Sequence, residues 1–186
     1  EFDAPEDLEG YIADMHKAKT AHYTKLLSEG AIPLRPGVER LLNEAREKGL
    51  RLAIATTTTP ENVSALLEHT LGKESMDWFE VIAAGDIVPA KKPAPDIYDF
   101  ALEQMNLKAE DCIAFEDSRN GILSSLGANL KTIIAINDYT KNHDFSGAAI
   151  VLDQYGEPGS GFTVIEGDAH GYEFLNIDMI KALHSV

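Results

Sequence analysis

Three short segments of this sequence carry side chains suited to holding a phosphate and a divalent cation. The first is Thr56-Thr57-Thr58-Thr59, followed by Pro60-Glu61-Asn62. Hydroxyls and free backbone N–H groups at a helix start make an anion site. The same turn could serve only as a cap, with Thr59 as N-cap and Pro60 at the first helical position. The second is Ala90-Lys91-Lys92-Pro93-Ala94-Pro95-Asp96. Its prolines fix the direction from which Lys92 approaches, and lysine acts on phosphate as a point charge; the alternative is a solvated surface lysine. The third is Phe115-Glu116-Asp117-Ser118. Two adjacent carboxylates suit a hard cation such as Mg²⁺, which takes one or two of them and fills its other positions with water and substrate oxygen. The alternative is that Glu116 and Asp117 only stabilise the start of the next helix.

The pattern around these segments decides whether they can meet. Apolar spacing predicts a helix from about Pro5 to Glu29, ended by Gly30, and a second from Pro36 to Gly49. A strand at Leu50–Ala55 then runs into the threonines. Helix and strand alternate onward: helix 60–71, strand 79–84, helix 95–105, strand 111–115, helix 118–126, strand 130–136. A short strand at 148–152, a glycine-rich loop over 156–171 and a closing helix at 172–184 complete the reading. Such alternation with short links predicts an α/β fold with a mainly parallel sheet. Ligands of open parallel sheets bind beyond the carboxyl ends of the strands. The hydroxyl cluster, the lysine loop and the acidic pair all follow strands, so they are expected to converge on one sheet edge.

Composition narrows the function. The chain has 186 residues, 44% of them apolar, and a net charge of −15. That charge opposes nucleic acid and anionic membranes as partners, and no apolar run approaches the ~20 residues of a membrane span. The lone Cys112 excludes an internal disulfide and reads as a small buried hydrophobe in a reducing compartment. His16, His22, His69, His143, His170 and His184 lack metal-ligand spacing tied to the other motifs and read as surface or packing residues.

With these residues in place, the sequence resembles the haloacid dehalogenase (HAD) superfamily of phosphotransferases. Ala53-Ile54-Ala55-Thr56 is similar to the family's second motif, Lys92-Pro93-Ala94-Pro95-Asp96 to its third and Glu116-Asp117-Ser118 to its fourth. The resemblance covers about residues 30–155 and is nearest the β-phosphoglucomutase-like branch, within it the CbbY-type phosphatases. It implies a Rossmann-like HAD core and the remnant of an α-helical cap: residues 1–33 as the last cap helix and hinge, residues 34–186 as the core. It also implies a Mg²⁺-dependent phosphatase acting on a small sugar phosphate or bisphosphate through an aspartyl-phosphate. Thr56 would hydrogen-bond a phosphoryl oxygen, Lys92 would offset its charge, and Asp117, with Glu116, would bind Mg²⁺. Thr57 would add a donor, while Thr58, Thr59 and Asn62 would face the rest of the substrate. A cytoplasmic location is implied, or the plastid stroma in a photosynthetic eukaryote.

One family element has no counterpart here. The family's nucleophile and its acid/base form an Asp-x-Asp motif after the sheet's first strand, and no two aspartates of this chain stand two positions apart. In the family that strand is central, between those ending near Thr56 and Phe115. The expectation is therefore a core lacking its central strand, inactive alone and completed by an N-terminal segment of the same protein. A phosphomutase using the same core, or a non-catalytic protein binding phosphate and Mg²⁺, are the alternative readings.

Overall fold

Strand and helix alternate through the described residues, 5–185, of the computed structural model. Helix α1 (Leu8–Ser28) starts where the Asp7 carboxylate accepts the Gly10 N–H at 2.8 Å, and it packs against α3 (Pro60–Leu71). It ends before Gly30, whose φ of +69° glycine adopts without strain. Helix α2 (Val38–Glu47), strand β1 (Ala53–Thr56), α3, β2 (Val81–Ala84), α4 (Asp96–Met105), β3 (Ile113–Glu116), α5 (Arg119–Gly127) and β4 (Lys131–Ala135) follow. Then come β5 (Ile150–Leu152), β6 (Val164–Gly167) and α6 (Ile177–Ser185).

Side chains alternate across each strand, so neighbouring residues feed different layers. Ile133, Ile150 and Leu152 pack with Leu41 and Ala45 of α2 and with Ile177, Ile180 and Leu183 of α6. Ile134 and Val151 point the other way, onto Ile122 of α5. Likewise Ile54 and Ile82 meet Val63 and Leu67 of α3, while Ala83 and Ala114 meet Ile97 and Tyr98 of α4. Strands β1 to β5 thus carry packed side chains on both faces, as parallel strands require. Ile133 has 0% exposure at the centre of the largest cluster. Its replacement by alanine is expected to cost about 2–5 kcal/mol, read from the shift in a urea melt with unchanged slope.

Strands β3, β4 and β5 are parallel, and β6 adds an antiparallel edge. Strands β1 and β2 form a separate parallel pair, aligned from Ala53 with Val81 to Thr56 with Ala84. Among the described residues, one edge of β1 and one edge of β3 therefore pair with no strand. Between them runs a groove of about 750 Å³ lined by Leu41, Ala53, Ala55, Ala101, Ile113 and Phe115, among others.

Several boundaries differ from the sequence reading. The first strand begins at Ala53, three residues after the expected Leu50, because the Leu50 N–H still bonds the Ala45 carbonyl across Gly49 (φ +68°). Thr56 is consequently the strand's last residue. The expected loop over 156–171 contains β6; its residues are all exposed, so no apolar alternation marks it. The closing helix starts at Ile177, five residues later than expected. The chain before it ties down the loop: the Glu173 carbonyl accepts the Phe162 N–H and the Leu175 N–H donates to Tyr155 O. Asn176 then caps the helix through the Met179 N–H at 2.8 Å. Cys112 is half-buried rather than buried, and burial still pushes its thiol up. Residues 1–4 of the expected cap segment lie outside the described residues. No helix among the described residues is long and apolar enough to cross a membrane.

Candidate active site

Lys92 joins the carboxyl ends of β1 and β3, which belong to separate sheet pieces. Its ammonium donates to the Ala55 carbonyl at 2.9 Å and to Glu116 Oε1. Lys92 therefore links the residue before Thr56 to the residue before Asp117, while the Thr56 and Lys92 side chains do not line the pocket that Asp117 lines. The pair is sheltered, with 12% of the Lys92 and 8% of the Glu116 side chain exposed. Glu116 Oε1 also accepts the Tyr98 hydroxyl at 2.5 Å. Lys92 Nζ lies 4.8 Å from the centre of the Tyr98 ring. Burial first, and the Glu116 carboxylate next, push the Tyr98 hydroxyl up, so it stays a donor.

The other Glu116 oxygen sits where a Cβ on Gly121 would stand, 1.9 Å away. Gly121 lies in the first turn of α5, where its N–H bonds Ser118 Oγ at 3.1 Å. Asp117 points elsewhere: its Oδ2 accepts Asn137 Nδ2 at 3.2 Å, and it lines a pocket of about 200 Å³ with Arg35, Phe115, Glu116 and Tyr155. The Arg35 guanidinium donates to the carbonyls of Ala135, Ile136 and Asp153 at 2.9, 2.6 and 2.6 Å, clamping the segment before α2 to the ends of β4 and β5. Burial raises the Tyr155 hydroxyl; Arg35 opposes this and Asp117 and Glu116 reinforce it.

The threonine cluster is partly spent on itself. Thr56 Oγ1 accepts the Thr58 N–H at 3.2 Å, and Asn62 Nδ2 donates to Thr58 Oγ1 at 3.1 Å. Thr59 caps α3 by accepting the Asn62 N–H at 3.4 Å, with Pro60 at the first helical position, so the capping role is realised alongside any other. Thr57, Thr58 and Thr59 are exposed and do not line the Asp117 pocket.

Among the described residues no three His, Cys, Asp or Glu side chains gather as a metal cluster. Two neighbouring carboxylates beside a small open pocket do fit a hard ion that keeps most of its own water. Of the two, Asp117 is the less encumbered, since Glu116 Oε1 already holds two donors.

Tyr98, Gly121, Asn137 and Arg35 were not singled out from the sequence. A tyrosine on the buried face of a helix is a usable signal, because its hydroxyl needs a partner there. His143, read as a surface or packing residue, accepts the Arg119 N–H through Nδ1 at 3.2 Å, next to the acidic pair.

Comparison with known proteins identifies the family. The family model for haloacid dehalogenase-like hydrolases matches residues 4–129. The CbbY protein of Rhodobacter capsulatus is 51% identical over 137 residues, covering 74% of this chain and 60% of that protein. The crystal structure of CbbY from Rhodobacter sphaeroides in complex with phosphate superimposes with a TM-score of 0.74 at 46% identity, over 80% of this chain and 66% of that one. A mutant of the same protein in complex with xylulose-(1,5)bisphosphate gives 0.75 with the same identity and coverage. The chain thus spans under two thirds of the length of these relatives. From its motifs, its fold and these matches, the chain belongs to the haloacid dehalogenase-like hydrolase family, with CbbY proteins among its relatives.

Proposed function

We propose that the complete protein is a Mg²⁺-dependent phosphatase of small sugar phosphates or bisphosphates. The observation that carries this reading is the Lys92 ammonium, held between the Ala55 carbonyl at the end of β1 and the Glu116 carboxylate at the end of β3. The solved CbbY complexes with phosphate and with a pentulose bisphosphate support the substrate class.

In this reading a further strand, from a part of the protein outside this chain, fills the groove between β1 and β3. An extended segment of about five residues spans ~16 Å and satisfies backbone groups that otherwise cost ~1–3 kcal/mol each when buried and unpaired. Its carboxyl end emerges beside Lys92, where an aspartate can attack phosphorus in line and a second, two residues on, can protonate the leaving oxygen. Residues 34–186 are then the core and residues 1–33 the end of a cap. Thr56 donates its hydroxyl to one phosphoryl oxygen, the Thr57 N–H to another, and Lys92 offsets their charge. Thr58, Thr59 and Asn62 face the substrate's sugar or second phosphate. Asp117 holds Mg²⁺ directly and Glu116 directly or through water; the ion when bound neutralises phosphoryl charge. These 186 residues alone hold the substrate groups without turning them over.

The test incubates the complete protein with pentose and hexose phosphates and bisphosphates, with Mg²⁺ or with a chelator. Free phosphate that requires Mg²⁺ is the expected product. Isomerised sugar phosphate without free phosphate points to a mutase, and neither product to a binding protein; each overturns the proposal.

A further inference from the structure

We infer that Tyr98 is a positioning residue that lets Lys92 turn from Glu116 toward a bound phosphate. This rests on the phosphate site proposed above. As the structure stands, Glu116 Oε1 holds two donors, the Lys92 ammonium and the Tyr98 hydroxyl, and the whole side chain is 8% exposed. Were Lys92 its sole protein donor, moving the ammonium onto an incoming anion would leave Oε1 of this sheltered carboxylate without a hydrogen-bond donor, which is unfavourable. The Tyr98 hydroxyl stays on Oε1 while Lys92 moves. Its ring, 4.8 Å from Nζ, offers the ammonium an attractive face throughout. Packing alone does not explain a tyrosine here: Tyr98 lies with Ile97 and Ala101 on the buried face of α4, against Ala83 and Ala114, where phenylalanine would fill the same space.

The experiment follows inorganic phosphate binding to the complete protein, with Mg²⁺ present, by NMR titration of amide signals. Tyr98→Phe, Lys92→Met and the double variant are compared with the parent. Tyr98→Phe keeps the ring and the packing, and folding of every variant is read from the dispersion of the same amide spectrum. Tyr98→Phe is expected to weaken phosphate binding about tenfold. In the Lys92→Met background the same change is expected to add less than about twofold, because no ammonium remains to be released. Parent-like phosphate affinity in Tyr98→Phe overturns the inference, as does an equal loss in both backgrounds, which marks a merely structural hydroxyl. If Lys92→Met binds phosphate as the parent does, the phosphate site itself fails and this inference with it.

Discussion

Alanine at position 92 is expected to lower kcat of the complete protein by at least ~100-fold, as removal of one preorganised electrostatic group at a reacting centre does. Two losses combine. The phosphoryl oxygens lose the charge that the proline-bounded loop presents to them. Glu116 and the Ala55 carbonyl also lose a donor they share. Removing one partner of a buried ion pair costs about 3–5 kcal/mol of stability, and here both partners are sheltered enough for much of that cost to apply. Activity and stability must therefore be read separately, kcat from phosphate release well below the melting temperature. Lys92→Arg is expected to rescue poorly, because a planar fork cannot replace a compact point charge between Ala55 O and Glu116 Oε1. Near-normal turnover in Lys92→Ala contradicts the role assigned to this lysine.

Gly121→Ala is expected to displace the Glu116 carboxylate and so to damage the site. In an ordinary helix the substitution gains about 1 kcal/mol from propensity. At Gly121 the added carbon would lie 1.9 Å from Glu116 Oε2 and 2.3 Å from its Cδ, so something must move. Overpacking costs roughly 1–3 kcal/mol, and the group displaced is the carboxylate that anchors both Lys92 and Tyr98. Activity is expected to fall about 100-fold while stability changes by no more than about 2 kcal/mol. Gly127→Ala, at the other end of the same helix, is the control. Its added carbon comes no closer than 3.3 Å, to the Pro95 side chain, and near-parent activity is expected. Equal activity in the two variants, measured side by side, would show that the Glu116 position does not matter.

The parts of this site that lie along single segments could be read from the sequence. Helix α3 falls at 60–71 as expected, because Thr59 and Pro60 mark its start and Gly72 its end. The three motifs sit at strand ends because apolar strands and helices alternate, and that alternation fixes which ends share an edge. What could not be read depends on register and on neighbours far along the chain. Gly121 looks like an ordinary helical glycine until the side chain of Glu116 is seen against it. The Tyr98 hydroxyl finds its acceptor 18 residues away, and Asn137 reaches Asp117 across 20. Strand β6 escaped because an exposed edge strand carries no buried face to impose alternation. Among the described residues the strands form two separate sheet pieces; the expectation of a core without a central strand is drawn from family resemblance rather than from periodicity.

A structure of the complete protein with Mg²⁺ and phosphate tests the central claim most directly. The account predicts a parallel strand hydrogen-bonded to both β1 and β3, an aspartate at its carboxyl end, and phosphate touching Lys92 Nζ and Thr56 Oγ1 with the ion on Asp117. A groove filled by anything other than a parallel strand, or phosphate bound away from Lys92, would contradict it.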